Sequence, residues 1–376
     1  MHHHFPLKGA NGMPHIFCGE LFKSWMNLII STVLLAALGH PAGMHGNKVN
    51  SPVFASSRVI RVSGSIYKIR IIRCQLSQVK IKVGLARGCV GRTESLGGIA
   101  LRYHAIAAID GCFFEAYDQS LFKNPDHTLI TDGQVVHIGN VGTLIGFESS
   151  GNVFMGLLPL HVLGERQWGA NHKLGWFAYW INQYPSLSST ITLFTPFWGA
   201  STDVPGGVQI VVNNGMVSHI GYGPQAIPPN GYVIYLGGTC ENMAHEFYAG
   251  QSLSYSVLTE NGKNTTLSKI QEGLGCGPRL IQDGKIVLDP ESEGFTSPKI
   301  LYQSGQRSAV GVTKNNDLLL VTSDGTMREM ARIMQSLGCQ QAMNLDGGAS
   351  SGLWYKGKYL TRPGRNISNA LLVIPR

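Results

Sequence analysis

Eight consecutive residues near the C-terminus, Asn344-Leu345-Asp346-Gly347-Gly348-Ala349-Ser350-Ser351, bring together a carboxylate, two glycines and two hydroxyls. A carboxylate can steady a cationic centre or take a proton from water. Glycines such as Gly347 and Gly348 let successive backbone N–H groups close around an anion. The plainer reading is a turn whose aspartate bonds its own backbone, and residue types alone weigh the two evenly. Three arginines flank turn-forming loops: Arg279 in Gly277-Pro278-Arg279, Arg307 in Gln306-Arg307-Ser308, and Arg365 in Gly364-Arg365-Asn366. A guanidinium holds phosphate through paired N–H donors, although a lone arginine is more often a surface ion-pair partner. Two further acids precede glycines, in Asp110-Gly111 and Asp324-Gly325. The thirteen histidines include no His-Glu-x-x-His and no two cysteines have Cys-x-x-Cys spacing. The chemistry is therefore expected to use neither metal nor cofactor.

Strands must position most of these groups. Val79-Lys80-Ile81-Lys82-Val83 alternates with period two, and Ile66 to Ile71 does so in part. Apolar runs flank Asp132-Gly133, Asn214-Gly215, Asp283-Gly284, Asn315-Asn316-Asp317 and Lys356-Gly357, predicting five hairpins. Thr326-Met327-Arg328-Glu329 has the form of a capping box, and Met327, Met330, Ala331, Met334 and Leu337 recur at helical spacing before Gly338. A weaker helix is predicted from Ser95 to Tyr103. Each helix precedes a short apolar run that ends in an acid and a glycine: Ala105 to Ile109 before Asp110-Gly111, and Ala342 to Leu345 before Asp346-Gly347. A carboxylate where a buried strand opens into a loop sits where clefts form. Leu157 to Pro229, rich in Trp, Tyr, Pro and Gly, reads as a loop-heavy insertion walling a pocket.

The ordered set Gly277-Pro278-Arg279-Leu280, Arg307 to Gly311, Asp324-Gly325, Asn344 to Ser350 and Arg365 with Ser368 resembles the phosphodiester glycosidase family. Ala108-Ile109-Asp110-Gly111-Cys112-Phe113-Phe114 is similar to that family's Asn-Gly-Gly-Phe-Phe signature, with Asp110 in place of asparagine and Cys112 in place of glycine. Leu193 to Pro196 with Gly199 resembles its middle portion, so the likeness covers most of residues 58–376.

The resemblance implies a hydrolase that cuts the anomeric C–O bond of a sugar-1-phosphodiester in an exported glycan or glycoconjugate. Phosphate is a far better leaving group than an alcohol, so the demand moves from protonation to electrostatic stabilisation. Asp346 is then the first choice of carboxylate, with Asp324 or Asp110 as the second. Arg307 and Arg365 would clamp phosphate with help from Arg279, and Asn344, Ser350 and Ser351 would bond sugar hydroxyls or phosphate oxygens. The extra charge of Asp110 is expected to raise a neighbouring carboxylate's pKa or to repel a phosphate. One alternative is a conventional envelope polysaccharide glycosidase. Another is a non-catalytic glycan-binding envelope protein using Trp168, Trp176, Trp180 and Trp198.

Composition agrees with an enzyme-sized core. The chain has 376 residues, 43% hydrophobic and 14% charged, which excludes a disordered or coiled-coil protein. Its 47 glycines suggest short strands and tight turns. A net charge of +8 suits phosphate-bearing glycans and equally an anionic cell surface or nucleic acid, although no nucleic-acid-binding signature accompanies it and a solvated basic surface is the plainer reading. Met26 to Leu38 is an uncharged apolar run, too short to span a bilayer and suited to a signal peptide. Residues 1–39 therefore read as a leader, 40–57 as a linker and 58–376 as one α+β domain of mixed or antiparallel sheets with a few packed helices. Export to the periplasm or the exterior is expected, with a membrane contact only if the leader stays uncleaved. Six cysteines follow the leader, and Cys74 and Cys89 lie close enough to bridge neighbouring strands.

Overall fold

The computed structural model describes residues 52–376 apart from 170–171, 186–188, 261 and 263. The leader 1–39 lies outside the described residues, and a strand already begins at Val53, within the segment read as linker.

The α+β expectation is corrected. Strands make up 49% of the structure and helices of all kinds 13%, and the small sheets have a propeller-like arrangement. Among the described residues the α-helices are only α1 (Leu96–Arg102), α2 (Pro298–Leu301) and α3 (Met327–Ser336). The reason lies in the turns: Asp132-Gly133, Asn214-Gly215, Asp283-Gly284 and Lys356-Gly357 all hold positive φ at both positions. Paired left-handed residues match the twist of two antiparallel strands, so each returns the chain at once into a hairpin. Asn316, at φ 60°, turns the fifth. The segment 157–229 is likewise strand-rich rather than loop-heavy, with strands at Leu160–Trp168, His172–Ala178, Thr190–Phe194, Val208–Asn213 and Met216–Tyr222.

Two sheets carry the site. The seven-stranded sheet runs Val53–Val62, Ser65–Gln75, Asp317–Gly325, Gly305–Thr313, Cys339–Asn344, Arg279–Gln282, Lys285–Ile286, and every neighbouring pair is antiparallel. Helix α3 covers one face with Met330, Ala331, Ile333 and Met334, packed on Ile69, Leu280, Ala309 and Val321. Its capping box is formed, with Thr326 and Glu329 satisfying each other's backbone N–H groups. The second sheet, of five strands, places Ala107–Asp110 between Leu353–Tyr355 and Asn369–Pro375, with α1 packed nearby through Leu96, Ile99 and Ala100. Two other five-stranded sheets and a three-stranded one complete the fold. The described cysteines are free thiols, so the Cys74–Cys89 bridge is absent.

Candidate active site

The strand Cys339–Asn344 pairs with Gly305–Thr313 so that Ala309 faces Asn344, and the Leu345 N–H donates to the Ser308 carbonyl at 2.8 Å. The chain leaves the sheet at Asp346, whose N–H donates to the Gly111 carbonyl at 2.9 Å. That bond joins the ends of the two sheets where their loops open. The Gly347 N–H donates to Asp346 Oδ1 at 2.8 Å, and the Ser350 side chain bonds the same carboxylate. Gly347 passes close to the neighbouring strand: a Cβ there would lie 2.9 Å from the Gln306 carbonyl oxygen. Only glycine lets the loop press this closely against the arginine strand.

Asp346 lines a cleft of about 600 Å³ together with Gly347, Gly348, Ser350, Arg307 and Arg365. Arg307 is buried, and its Nε donates to the Gly325 carbonyl at 3.1 Å. Its Nη2 donates to the carbonyls of Lys299 and Gln303 at 2.6 Å each, satisfying oxygens around the end of α2. Arg365 bonds the Tyr117 hydroxyl and lies 4.6 Å from that ring's centre. Lys299 also lines the cleft, 5.9 Å from the same ring. Among the described residues none of these three cations forms an ion pair with a carboxylate.

The cleft holds a second carboxylate that sequence reasoning missed, Asp126. Its N–H donates to the Phe113 carbonyl at 2.9 Å, which ties its loop to the Phe113-Phe114 segment. Asp126 is exposed, and the protein packed around it in the cleft partly desolvates its carboxyl. That desolvation pushes its pKa up to about 7, with the charges of Glu115 and then Asp346 adding to it. Burial likewise pushes Asp346 up to about 6, opposed by its bonds to Ser350 and Gly347 and by the charge of Arg365. His127 beside them is buried with neither ring nitrogen bonded, and stands 5.5 Å from Phe113 and 6.0 Å from Phe295 between ring centres. Burial lowers its pKa to about 3, so it is a neutral, largely apolar wall.

Five residues selected from sequence lie outside the lining of this cleft. Asp110 is fully buried: Oδ1 accepts from Ser308 Oγ at 2.6 Å and the Gly352 N–H at 2.7 Å, and Oδ2 has no partner. Ser351 joins that network through Ser308 at 2.7 Å. Asp110, expected to perturb a neighbour, takes the shift itself: loss of water holds its pKa well above the ordinary value, and Asp346 adds to the rise. Asp324 is exposed on Asp317–Gly325. Its cross-strand partner is Gln306, whereas Arg307 faces Ser323, so the period-two alternation sends Asp324 and the Arg307 side chain to opposite faces. Arg279 bonds Gln341 at 2.5 Å and donates its backbone N–H to Glu293 at 2.6 Å. Asn344 is buried and donates to the Gly277 carbonyl at 2.9 Å. Asn344 and Asp110 therefore tie backbone together beneath the loops that carry Asp346.

A buried arginine, a carboxylate loop and a C-terminal arginine, in that order along the chain, thus meet in one cleft. Residues 206–374 match the phosphodiester glycosidase family. The phosphodiester glycosidase match takes in Asp346, Arg307 and Arg365, and Asp126 precedes it. No curated protein matches the chain by sequence. A hypothetical protein from Synechocystis is similar in structure, at TM-score 0.74 and 25% identity over 86% of this chain and 62% of its own. This chain therefore spans under two thirds of that protein's length. A presumed exported protein of Burkholderia pseudomallei shares the fold at TM-score 0.68 and 18% identity, over 84% of this chain and 76% of its own. The catalytic domain of zebrafish N-acetylglucosamine-1-phosphodiester alpha-N-acetylglucosaminidase is 14% identical at TM-score 0.46, covering 87% and 85% of the two chains, a likeness too distant to carry an argument.

Proposed function

We propose that this protein is a hydrolase that breaks the anomeric C–O bond of a glycosyl phosphodiester carried by an exported glycan or glycoconjugate. The observation that carries the reading is the pairing of opposites in one cleft. Arg307, Arg365 and Lys299 line it without carboxylate partners among the described residues, and Asp346 and Asp126 line it with raised pKa values. Cations without counter-ions suit a phosphodiester anion, and the family match over residues 206–374 supports the same class of substrate.

In this reading Arg307 and Arg365 take the charge that develops on the departing phosphate oxygen, in place of a strong general acid. The electron pair of the C–O bond leaves with the phosphate, and the sugar carbon becomes cationic. Asp346, which Arg365 helps keep ionised, steadies that cation. Asp126, titrating near neutrality, removes a proton from the water that attacks the same carbon. Rigid placement of Arg307 by three backbone carbonyls keeps its remaining N–H donors aimed without reorganisation. Support for export is the apolar run from Met26 to Leu38.

The purified chain should release free sugar from UDP-GlcNAc or a simple sugar phosphodiester, and not from a matched aryl glycoside. Asp346→Asn and Arg307→Ala should each lower kcat by ~100-fold or more while remaining folded. Wild-type turnover by both folded variants would remove this site from consideration, and faster cleavage of the aryl glycoside would favour a conventional glycosidase.

A further inference from the structure

A second depression of about 630 Å³ opens over the three-stranded sheet formed by His172–Ala178, Leu160–Trp168 and Leu253–Thr259. Its walls include Phe177, Tyr179 and Trp180. Leu163 and Phe177 are cross-strand partners on the outer face, and Phe177 meets Tyr179 edge to face at 5.2 Å. Phe177, Tyr179 and Leu163 are exposed at 39%, 52% and 47%, so the strands display apolar groups where their alternation calls for polar ones. By contrast, Trp176 and Trp198 are core residues at 4% and 0% exposure. Polar groups are present too: His161 and Glu260 line the depression and are exposed. No lysine or arginine lines it among the described residues.

The depression shares wall residues with the cleft. Val141 lines both, and it also lines a smaller hollow of about 240 Å³ that shares Gly294 with the cleft and Asn140 with the depression. Asn140 fixes this crossing, donating from Nδ2 to the Leu160 carbonyl at 2.9 Å and accepting the Leu160 N–H at 3.0 Å.

We infer that the Phe177–Tyr179 depression is a subsite for neutral sugar rings, and that the substrate is an oligosaccharide bearing the phosphodiester rather than a small glycosyl phosphodiester. The inference rests on the reading of the cleft proposed above. A pyranose presents a C–H face of slight positive charge, which an aromatic face receives, and hydroxyls at its edge, which His161 and Glu260 can bond. The carboxylate of Glu260 disfavours a phosphate here, so charge is read in the cleft and neutral rings beyond Val141.

The test is a Phe177→Ala/Tyr179→Ala double variant, assayed on a sugar phosphodiester with a small aglycone and on one linked to a neutral oligosaccharide. The expected result is kcat/KM reduced by ~10-fold on the long substrate and unchanged on the short one. In parallel, Asp346→Asn protein with and without the double substitution is titrated with chitotetraose, cellotetraose and maltotetraose by NMR. Saturable binding of at least one that the double substitution removes is expected. Equal loss on both substrates, no loss on either, or a change confined to sedimentation mass (a self-association face) overturns the inference. If wild type turns over neither substrate, the catalytic reading fails instead, and the titration alone decides for or against the subsite.

Discussion

At the scale of single residues, the informative pair is Asp346 and Asp126. Asp346 was legible because its Asn-Leu-Asp-Gly-Gly setting is dense in groups that can do chemistry. Asp126 stands in Asn124-Pro125-Asp126-His127, where nothing but a proline turn marks it, and its meaning comes from facing the same cleft as Asp346. Asp110 and Asp324 have equally suggestive glycine neighbours, yet one is sealed in a hydroxyl network and the other is exposed outside the lining of the cleft. If Asp346 and Asp126 both act ionised, kcat/KM should fall as pH drops through about 7 and about 6, as macroscopic steps of a coupled pair. A rate that instead declines above pH 7 would identify Asp126 as an acid. The same residue makes a stability prediction. Its folded pKa of about 7 exceeds the ordinary 3.8, so the folded state binds its proton more tightly than the unfolded chain does. That contribution is complete below 3.8 and is lost as pH rises through about 7. Asp126→Asn should therefore raise Tm relative to wild type at pH 8 more than at pH 5 while losing activity, which thermal melts at the two pH values would check.

At the scale of elements, local chemistry was the reliable guide. Asx-Gly and Lys-Gly pairs place hairpins because few dipeptides tolerate two left-handed residues, and Thr326 with Glu329 starts α3 because their side chains replace missing helix partners. Thr326→Ala should cost about 1 kcal/mol of unfolding free energy by urea titration, with Thr326→Ser recovering most of it. An intact Tm in the alanine variant would mean that packing of Met330, Ile333 and Met334 alone holds the helix. The segment 157–229 was misread because Trp, Tyr, Pro and Gly are frequent in loops, and pairing between distant strands overrode that composition. Leu160–Trp168 pairs with Leu253–Thr259, far along the chain, and no short window of sequence contains that partnership.

At the scale of the whole molecule, the net charge of +8 acts together with a cleft lined by three cations. Association with an anionic phosphodiester should be assisted, so kcat/KM should fall several-fold between about 10 mM and 300 mM salt, with kcat little changed. A salt-independent kcat/KM would confine the electrostatics to the bound state. The sequence by itself determined the hairpin turns, the helix starts, the family likeness and the candidate groups Asp346, Arg307 and Arg365, because backbone dihedrals, caps and motif order act over a few residues. Only the tertiary structure decided that the fold is a set of small β-sheets rather than α+β, and which acids share a cleft with the arginines. Burial and facing depend on strands distant along the chain, and a carboxylate's charge is set by what surrounds it in space.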